Sequence, residues 1–187
     1  MGKSASGKDH IYARLAAEQE LGLKKLVLYT TRPIRAEEED GKQYYFVNEE
    51  KLEELRKKKI LIEAREYTTM HGVWIYFTAD DGQVDLKQGN YLGIGTLESY
   101  VKMREYYGTE ALCPVYIEVE DGERLERALK RERSQITPRY AEMCRRFLND
   151  QSDFSEENIA SAGIMRRFQN DDLDRCVGEI IGYIKSF

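Results

Sequence analysis

Tyr29-Thr30-Thr31-Arg32-Pro33-Ile34-Arg35-Ala36-Glu37-Glu38-Glu39-Asp40-Gly41-Lys42-Gln43-Tyr44-Tyr45-Phe46 is the stretch on which the reading of this chain turns. It follows an apolar run, Leu26-Val27-Leu28, that reads as a strand. A guanidinium is a planar fork of N–H donors that matches two oxygens of one phosphate. Arg32 and Arg35 therefore suit a phosphomonoester, with the Tyr44 hydroxyl as a further donor. The competing reading is a surface ion pair of both arginines with Glu37-Glu38-Glu39.

Thr30, Thr31, Arg32, Arg35, Glu38, Gly41, Tyr44 and Phe46 resemble the guanylate kinase signature T-T-R-x-x-R-x-x-E-x-x-G-x-x-Y-x-F. The resemblance extends to Ile62-Glu63, the basic segment Arg127 to Arg133, Cys144-Arg145-Arg146-Phe147 and Asn170-Asp171-Asp172-Leu173. It implies a P-loop kinase that moves a phosphoryl group from ATP, with magnesium, to GMP or dGMP. Arg32, Arg35 and Tyr44 would hold the GMP phosphate. Glu63, at the end of a short apolar strand, would read guanine, whose N1–H and 2-amino group are two adjacent donors to one carboxylate. Adenine has an acceptor at N1 and would be rejected; the plain alternative for Glu63 is a solvated strand end. Further along, Gly72-Val73-Trp74-Ile75-Tyr76-Phe77-Thr78 stands where the family has G-x-Y-Y-G and a hydroxyl residue, so Tyr76 would add a phosphate-binding phenol and Thr78 a base contact. Tyr29 occupies a position where the family commonly has serine.

Upstream, Gly2-Lys3-Ser4-Ala5-Ser6-Gly7-Lys8 fits the first part of a P-loop, directly before a helical pattern from Asp9 to about Glu20. Glycines let backbone N–H groups converge on phosphate oxygens, the helix dipole favours the same anion, and the lysine neutralises the outer phosphates. The segment Gly2 to Asp9 is thus the expected ATP site, with Asn170 near it and Lys8 catalytic. Asp9 replaces the hydroxyl that usually faces magnesium and becomes the candidate metal ligand. A P-loop normally follows a buried central strand; only Met1 precedes Gly2, which predicts a further apolar strand upstream in the native chain.

The family's acidic strand motif is also missing. Leu92-Gly93-Ile94-Gly95-Thr96 puts glycine where two aspartates are expected, which opens the alternative of a nucleotide-binding module without turnover. Lys8, Arg32 and Arg35 favour an enzyme, since modules of that kind tend to lose them. A kinase for another small phosphorylated acceptor is a third reading. Arg131, Arg145 and Arg146 resemble lid and post-lid residues that close over the transferring phosphate; Arg127 reads as a solvated helix face.

Strand patterns at 60–62, 73–77, 91–94 and 115–119 alternate with helices, among them 49–58 capped by Asn48, 123–133 and one starting at Thr137-Pro138. The expected fold is α/β: a P-loop NTPase-type parallel sheet flanked by helices, with a small mixed β insert for the acceptor nucleotide and a helical lid. The 187 residues read as one domain, with a core at 1–29 and 79–187, an insert at about 30–78 and a lid at about 130–145. The net charge of -5 excludes a nucleic-acid polymer as partner, because backbone binding needs a basic face. No run approaches a membrane span, and three widely spaced cysteines (Cys113, Cys144, Cys176) suit a reducing cytoplasm. His10 and His71, the only histidines, lack metal-ligand spacing with any cysteine. Oligomeric state has no signature.

Overall fold

The computed structural model describes residues 1–69 and 72–187; Met70 and His71, in the expected 70–72 loop, lie outside the described residues. Contacts divide the chain into two compact units: Met1–Leu21, Ile94–Val101 and Cys113–Phe187 form the first, Gly22–Gly93 and Lys102–Leu112 the second. This division differs from the expected one. The strand at 28–30 groups with the acceptor stretch through its pairing with 44–46, and the segment up to Gly93 joins the same unit through backbone bonds from Lys24 and Leu26 to Asn90 and Leu92.

In the first unit, Met1-Gly2 lead into the P-loop and helix α1 (Lys8–Ala17). Strands β7 (Tyr116–Glu118) and β8 (Arg167–Gln169), numbered in chain order over both units, pair in parallel. The segment before the P-loop lies along β7: Gly2 bridges Ile117 in parallel, and the Ile117 N–H donates to the Met1 carbonyl at 2.9 Å. Helices α4 (Asp121–Arg133), α5 (Tyr140–Asp153), α6 (Glu156–Ser161) and α7 (Leu173–Ser186) complete this unit. Cys176, Val177 and Ile180 of α7 are buried, as the apolar spacing of that helix requires.

Two helices depart from expectation. The α4 face that turns inward comprises Arg124, Ala128 and Glu132, while Leu125 stays exposed. The spacing is helical, but ionic groups with specific partners take the inner face. Helix α5 starts at Tyr140 rather than at Thr137-Pro138, and its apolar stripe buries no residue fully; Tyr140 and Leu148 are exposed. Phe147 instead lies under the Arg124 guanidinium, 4.8 Å from ring centroid to carbon.

In the second unit, β1 (Lys24–Lys25) pairs in parallel with β6 (Tyr91–Leu92). The strand expected at 26–28 is split there: Leu26 still donates to Leu92, and the Val27 N–H goes to the Gln83 side chain. The chain then enters a four-stranded sheet of order β3-β2-β5-β4. Its members are β2 (Leu28–Thr30), β3 (Tyr44–Phe46), β4 (Leu61–Thr69) and β5 (Gly72–Ala79), with β2 parallel to β3 and antiparallel to β5. Helix α2 (Glu49–Lys57), capped by the Asn48 side chain on the Lys51 N–H, buries Leu52 and Leu55 against Phe77. Helix α3 (Leu97–Tyr107) has residues in both units. No helix among the described residues is long and apolar enough to cross a membrane.

Candidate nucleotide site

Each signature position in the stretch from Thr30 to Phe46 has a local task. Thr30 Oγ1 accepts the Arg32 N–H at 3.1 Å, and Thr31 Oγ1 accepts the Ile75 N–H at 2.9 Å, which ties the segment to β5. Gly41 takes φ 78°, a region costly for any side chain, and its N–H reaches the Tyr44 carbonyl. Asp40 accepts the Phe46 N–H at 2.7 Å. These bonds hold the polar segment against β2 and β5 so that its arginine faces inward.

Arg32 is 3% exposed. Its guanidinium is gripped by both Glu38 oxygens at 2.9 and 2.8 Å, while Nε donates to the Tyr76 hydroxyl at 3.1 Å. The guanidinium carbon lies 5.7 Å from the Tyr44 ring centroid and 5.3 Å from that of Phe46. The ion pair with the acidic run therefore exists, but it is inside the fold rather than on the surface. Arg32 holds Glu38 well below the usual carboxylate range, and burial opposes that effect. Arg35 donates its backbone N–H to Glu38, and its guanidinium has no partner among the described residues.

The base-side carboxylate is not at a strand end. Glu63 sits within β4, immediately after a register irregularity between Leu61 and Glu63, and its side chain is 2% exposed. Such a bulge re-aims the side chains that follow it. Thr78, opposite it on β5, donates its hydroxyl to Glu63 at 2.7 Å. Arg65, two residues along and therefore on the same face, donates to both Glu63 oxygens. One face of the sheet thus brings together Arg32, Tyr44, Tyr76, Thr78 and Glu63. Arg65 was missed in the sequence, although the i, i+2 spacing from Glu63 in a strand was its signal.

In the other unit, Ala5 (φ 61°) and Gly7 (φ 81°) turn the P-loop, and Gly7 caps α1 by accepting the N–H groups of His10 and Ile11. Alternating backbone handedness of this kind makes an anion-binding nest at a helix N-terminus. Lys8 has no hydrogen-bond or ion-pair partner among the described residues.

The nest is buttressed from behind. Asn170, buried after β8, donates Nδ2–H to the Ser6 carbonyl at 2.7 Å, and a Cβ added to Gly7 would overlap that same nitrogen. Arg127 donates to the Asn170 carbonyl at 2.8 Å and to Glu123 at 2.6 Å, and lies next to Gly7. It is therefore no solvated helix face. Arg124, 1% exposed, donates to the Ser4 carbonyl, Asp121 and Asp150. The Ser4 N–H is committed to Asp150 at 2.7 Å, and Lys3 Nζ to Gln151 at 2.6 Å. Helices α4 and α5 thus brace the first half of the loop, leaving Ala5 to Asp9 as the anion-facing half. A cavity of about 420 Å³ touches the loop only at Lys3. Its lining includes Glu118, Glu120 and Asp121, which do not suit a triphosphate.

Arg145 and Arg146 both donate to Glu142, at 2.7 and 2.9 Å, on the exposed side of α5, and Arg131 is exposed with no partner among the described residues. Asp9 is exposed in the first turn of α1. At the expected acidic positions, a Cβ on Gly93 would crowd Leu26 and one on Gly95 would overlap the Ser99 hydroxyl.

Comparison with known proteins agrees with this arrangement. The guanylate kinase family model matches residues 1–75, which include both the P-loop and the arginine segment. Over this part the chain is similar to guanylate kinases. It is 28% identical over 190 residues to the guanylate kinase of Porphyromonas gingivalis, with 98% of this chain and 93% of the relative covered. The crystal structure of guanylate kinase from Anaplasma phagocytophilum has the same fold, with a TM-score of 0.68 at 20% identity over 99% of this chain and 82% of that one.

Proposed function

We propose that the protein transfers the γ-phosphoryl group of ATP to GMP or dGMP, giving ADP and GDP. The observation that carries this reading is the single sheet face on which a phosphate-type arginine, Arg32, and a buried carboxylate, Glu63, are joined through Tyr76 and Thr78. Arg32, Arg35, Tyr44 and Tyr76 are assigned to the acceptor phosphate. Glu63 accepts from guanine N1–H and the 2-amino group, and Thr78 orients it. Cytosine, uracil and adenine lack that pair of adjacent donors.

On the donor side, the backbone N–H groups from Ala5 to Asp9 cradle the ATP phosphates and Lys8 neutralises them, while Asn170 and Arg127 keep the loop in shape. Arg131, Arg145 and Arg146 supply positive charge to the oxygens of the transferring group and exclude water. Transfer is in line and direct, since positioning and charge neutralisation suffice. Magnesium takes oxygen ligands, retains waters and is commonly held by one or two carboxylates plus substrate phosphates. No cluster of three or more ligating side chains occurs among the described residues, so the exposed Asp9 beside Lys8 fits that single-carboxylate role. Bound with ATP, the ion would spread the charge of the β- and γ-phosphates. Free Cys113, Cys144 and Cys176 suit a cytoplasmic setting.

A coupled assay of ADP release with GMP, dGMP, AMP, CMP and UMP tests the reading. Turnover with GMP and dGMP, well above the other three, is expected. Equal rates with AMP and GMP would remove the base assignment, and ADP release with none of the five would favour the binding-module alternative.

A further inference from the structure

We propose that Arg65 is a positioning residue that fixes the orientation of the Glu63 carboxylate, and thereby sets the preference for guanine over adenine. The inference rests on the GMP-kinase reading above and adds a specificity-determining residue to it. Glu63 and Arg65 are 2% and 8% exposed, side by side on one face of β4. Arg65 Nε donates to Oε2 at 2.8 Å and Nη2 to Oε1 at 3.3 Å, and Thr78 donates to Oε1 at 2.7 Å. A carboxylate at such burial is costly unless it is paired and hydrogen-bonded, and the Arg65 fork with the Thr78 hydroxyl supplies both. The planar guanidinium also fixes the plane in which the carboxylate lies.

Orientation decides how well the group reads a purine. Two carboxylate oxygens turned toward the base match the two adjacent donors of guanine, whereas adenine has an acceptor at N1 and no such pair. Arg65 holds Glu63 in that orientation. Its N–C–N edge also presents the donor pair that guanine presents, so the long Nη2 bond to Oε1 is the one that yields to the base while the 2.8 Å Nε bond persists. Neither Arg32 nor Tyr76 does this for Glu63, because Arg32 is engaged by Glu38 and by Tyr76 itself.

The test measures GMP and AMP binding by calorimetry without ATP, together with kcat and KM for both acceptors. The variants are Arg65→Met, Arg65→Lys, Glu63→Gln and Glu63→Gln/Arg65→Met. Arg65→Met is expected to lower the GMP:AMP ratio about tenfold or more, through KM and binding rather than kcat. Arg65→Lys should recover only part of the ratio, because the charge remains but the two-point fork is lost. In the Glu63→Gln background, losing Arg65 should change the ratio by less than about twofold, as expected of a residue acting through its partner. The double variant has no unpaired buried charge, so it reports even if Arg65→Met folds poorly. An unchanged ratio in Arg65→Met, or an equal loss in both backgrounds, overturns the proposal. So does tighter GMP binding with undiminished discrimination, which would make Arg65 a competitor of the base. A parent protein that binds GMP over AMP without releasing ADP would remove the kinase reading and leave the binding series to decide on Arg65. No preference for GMP in the parent would remove both.

Discussion

Asn170 donates its carboxamide N–H to the carbonyl of Ser6 at 2.7 Å, although the two residues are 164 positions apart. Its backbone N–H is held by Glu118 at the end of β7. The end of the sheet therefore sets the curvature of the P-loop, and the loop's glycine must accommodate the carboxamide.

Asn170→Ala should cost about 1–2 kcal/mol in denaturant unfolding, the usual penalty for losing a buried hydrogen-bond partner. It should also raise KM for ATP more than KM for GMP. Gly7→Ala should do worse, because its Cβ meets the Asn170 nitrogen and its φ of 81° suits glycine. Combining the two substitutions removes the overlap but not the backbone strain, roughly 1–2 kcal/mol, so ATP binding should recover only in part. Full recovery would show that the handedness at residue 7 is immaterial.

Arg32 is expected to be the least replaceable of the residues proposed for the acceptor site. Arg32→Ala leaves Glu38 without its bidentate partner and should destabilise by about 3 kcal/mol, as for a broken buried pair. KM for GMP should rise steeply while KM for ATP stays near the parent value. Arg32→Lys keeps the charge but loses the fork, and should retain more stability than GMP affinity. Steady-state kinetics with each nucleotide varied in turn, beside an unfolding curve, separate the two effects.

Glu142 titrates far below an ordinary glutamate, at about 2, chiefly through the hydrogen bonds of Arg145 and, after burial acting the other way, those of Arg146. Its folded value lies below the ordinary glutamate value of 4.5, so its contribution is complete above about 4.5 and is lost as pH falls toward 2. Melting temperatures between those limits should fall less steeply in Glu142→Gln than in the parent. At neutral pH the exposed pairs add only about 0.3–0.5 kcal/mol each, so the variant should melt within a degree or two of the parent. Alanine at Arg145 or Arg146 should lower kcat with little change in KM for GMP. A KM effect alone would argue against their proposed place at the transferring phosphate.

Asp9 is expected to govern the magnesium requirement. Asp9→Asn should need much more magnesium for half-maximal turnover with an unchanged melt, and chelation with EDTA should abolish turnover in both proteins. Asp9→Ser should be less active than the parent, since Gly93 and Gly95 bring no strand carboxylates to assist a hydroxyl. If both variants keep the parent's magnesium optimum, Asp9 merely complements the helix dipole, worth about 0.3–1 kcal/mol.

The sequence by itself determined the chemistry and most of the local elements. The arginine segment and the P-loop are contiguous motifs, so their residue types and spacing are readable without a fold, as are the Asn48 cap and the apolar stripe of α7. Strand pairing and ionic burial depend on distant partners and were decided by the tertiary structure. The 26–28 run divides at Val27 because Gln83 captures its N–H and β3 pairs with Leu28 to Thr30. Glu63 is inside β4 rather than at a solvated end because β5 continues opposite it, from Thr78 to Gly72. Arg124 and Arg127 look like solvated helix positions in isolation. They turn inward because Ser4, Asp150 and Asn170 supply acceptors from remote parts of the chain. A charge is buried only where its partners converge, and that convergence is a property of the fold rather than of any local stretch.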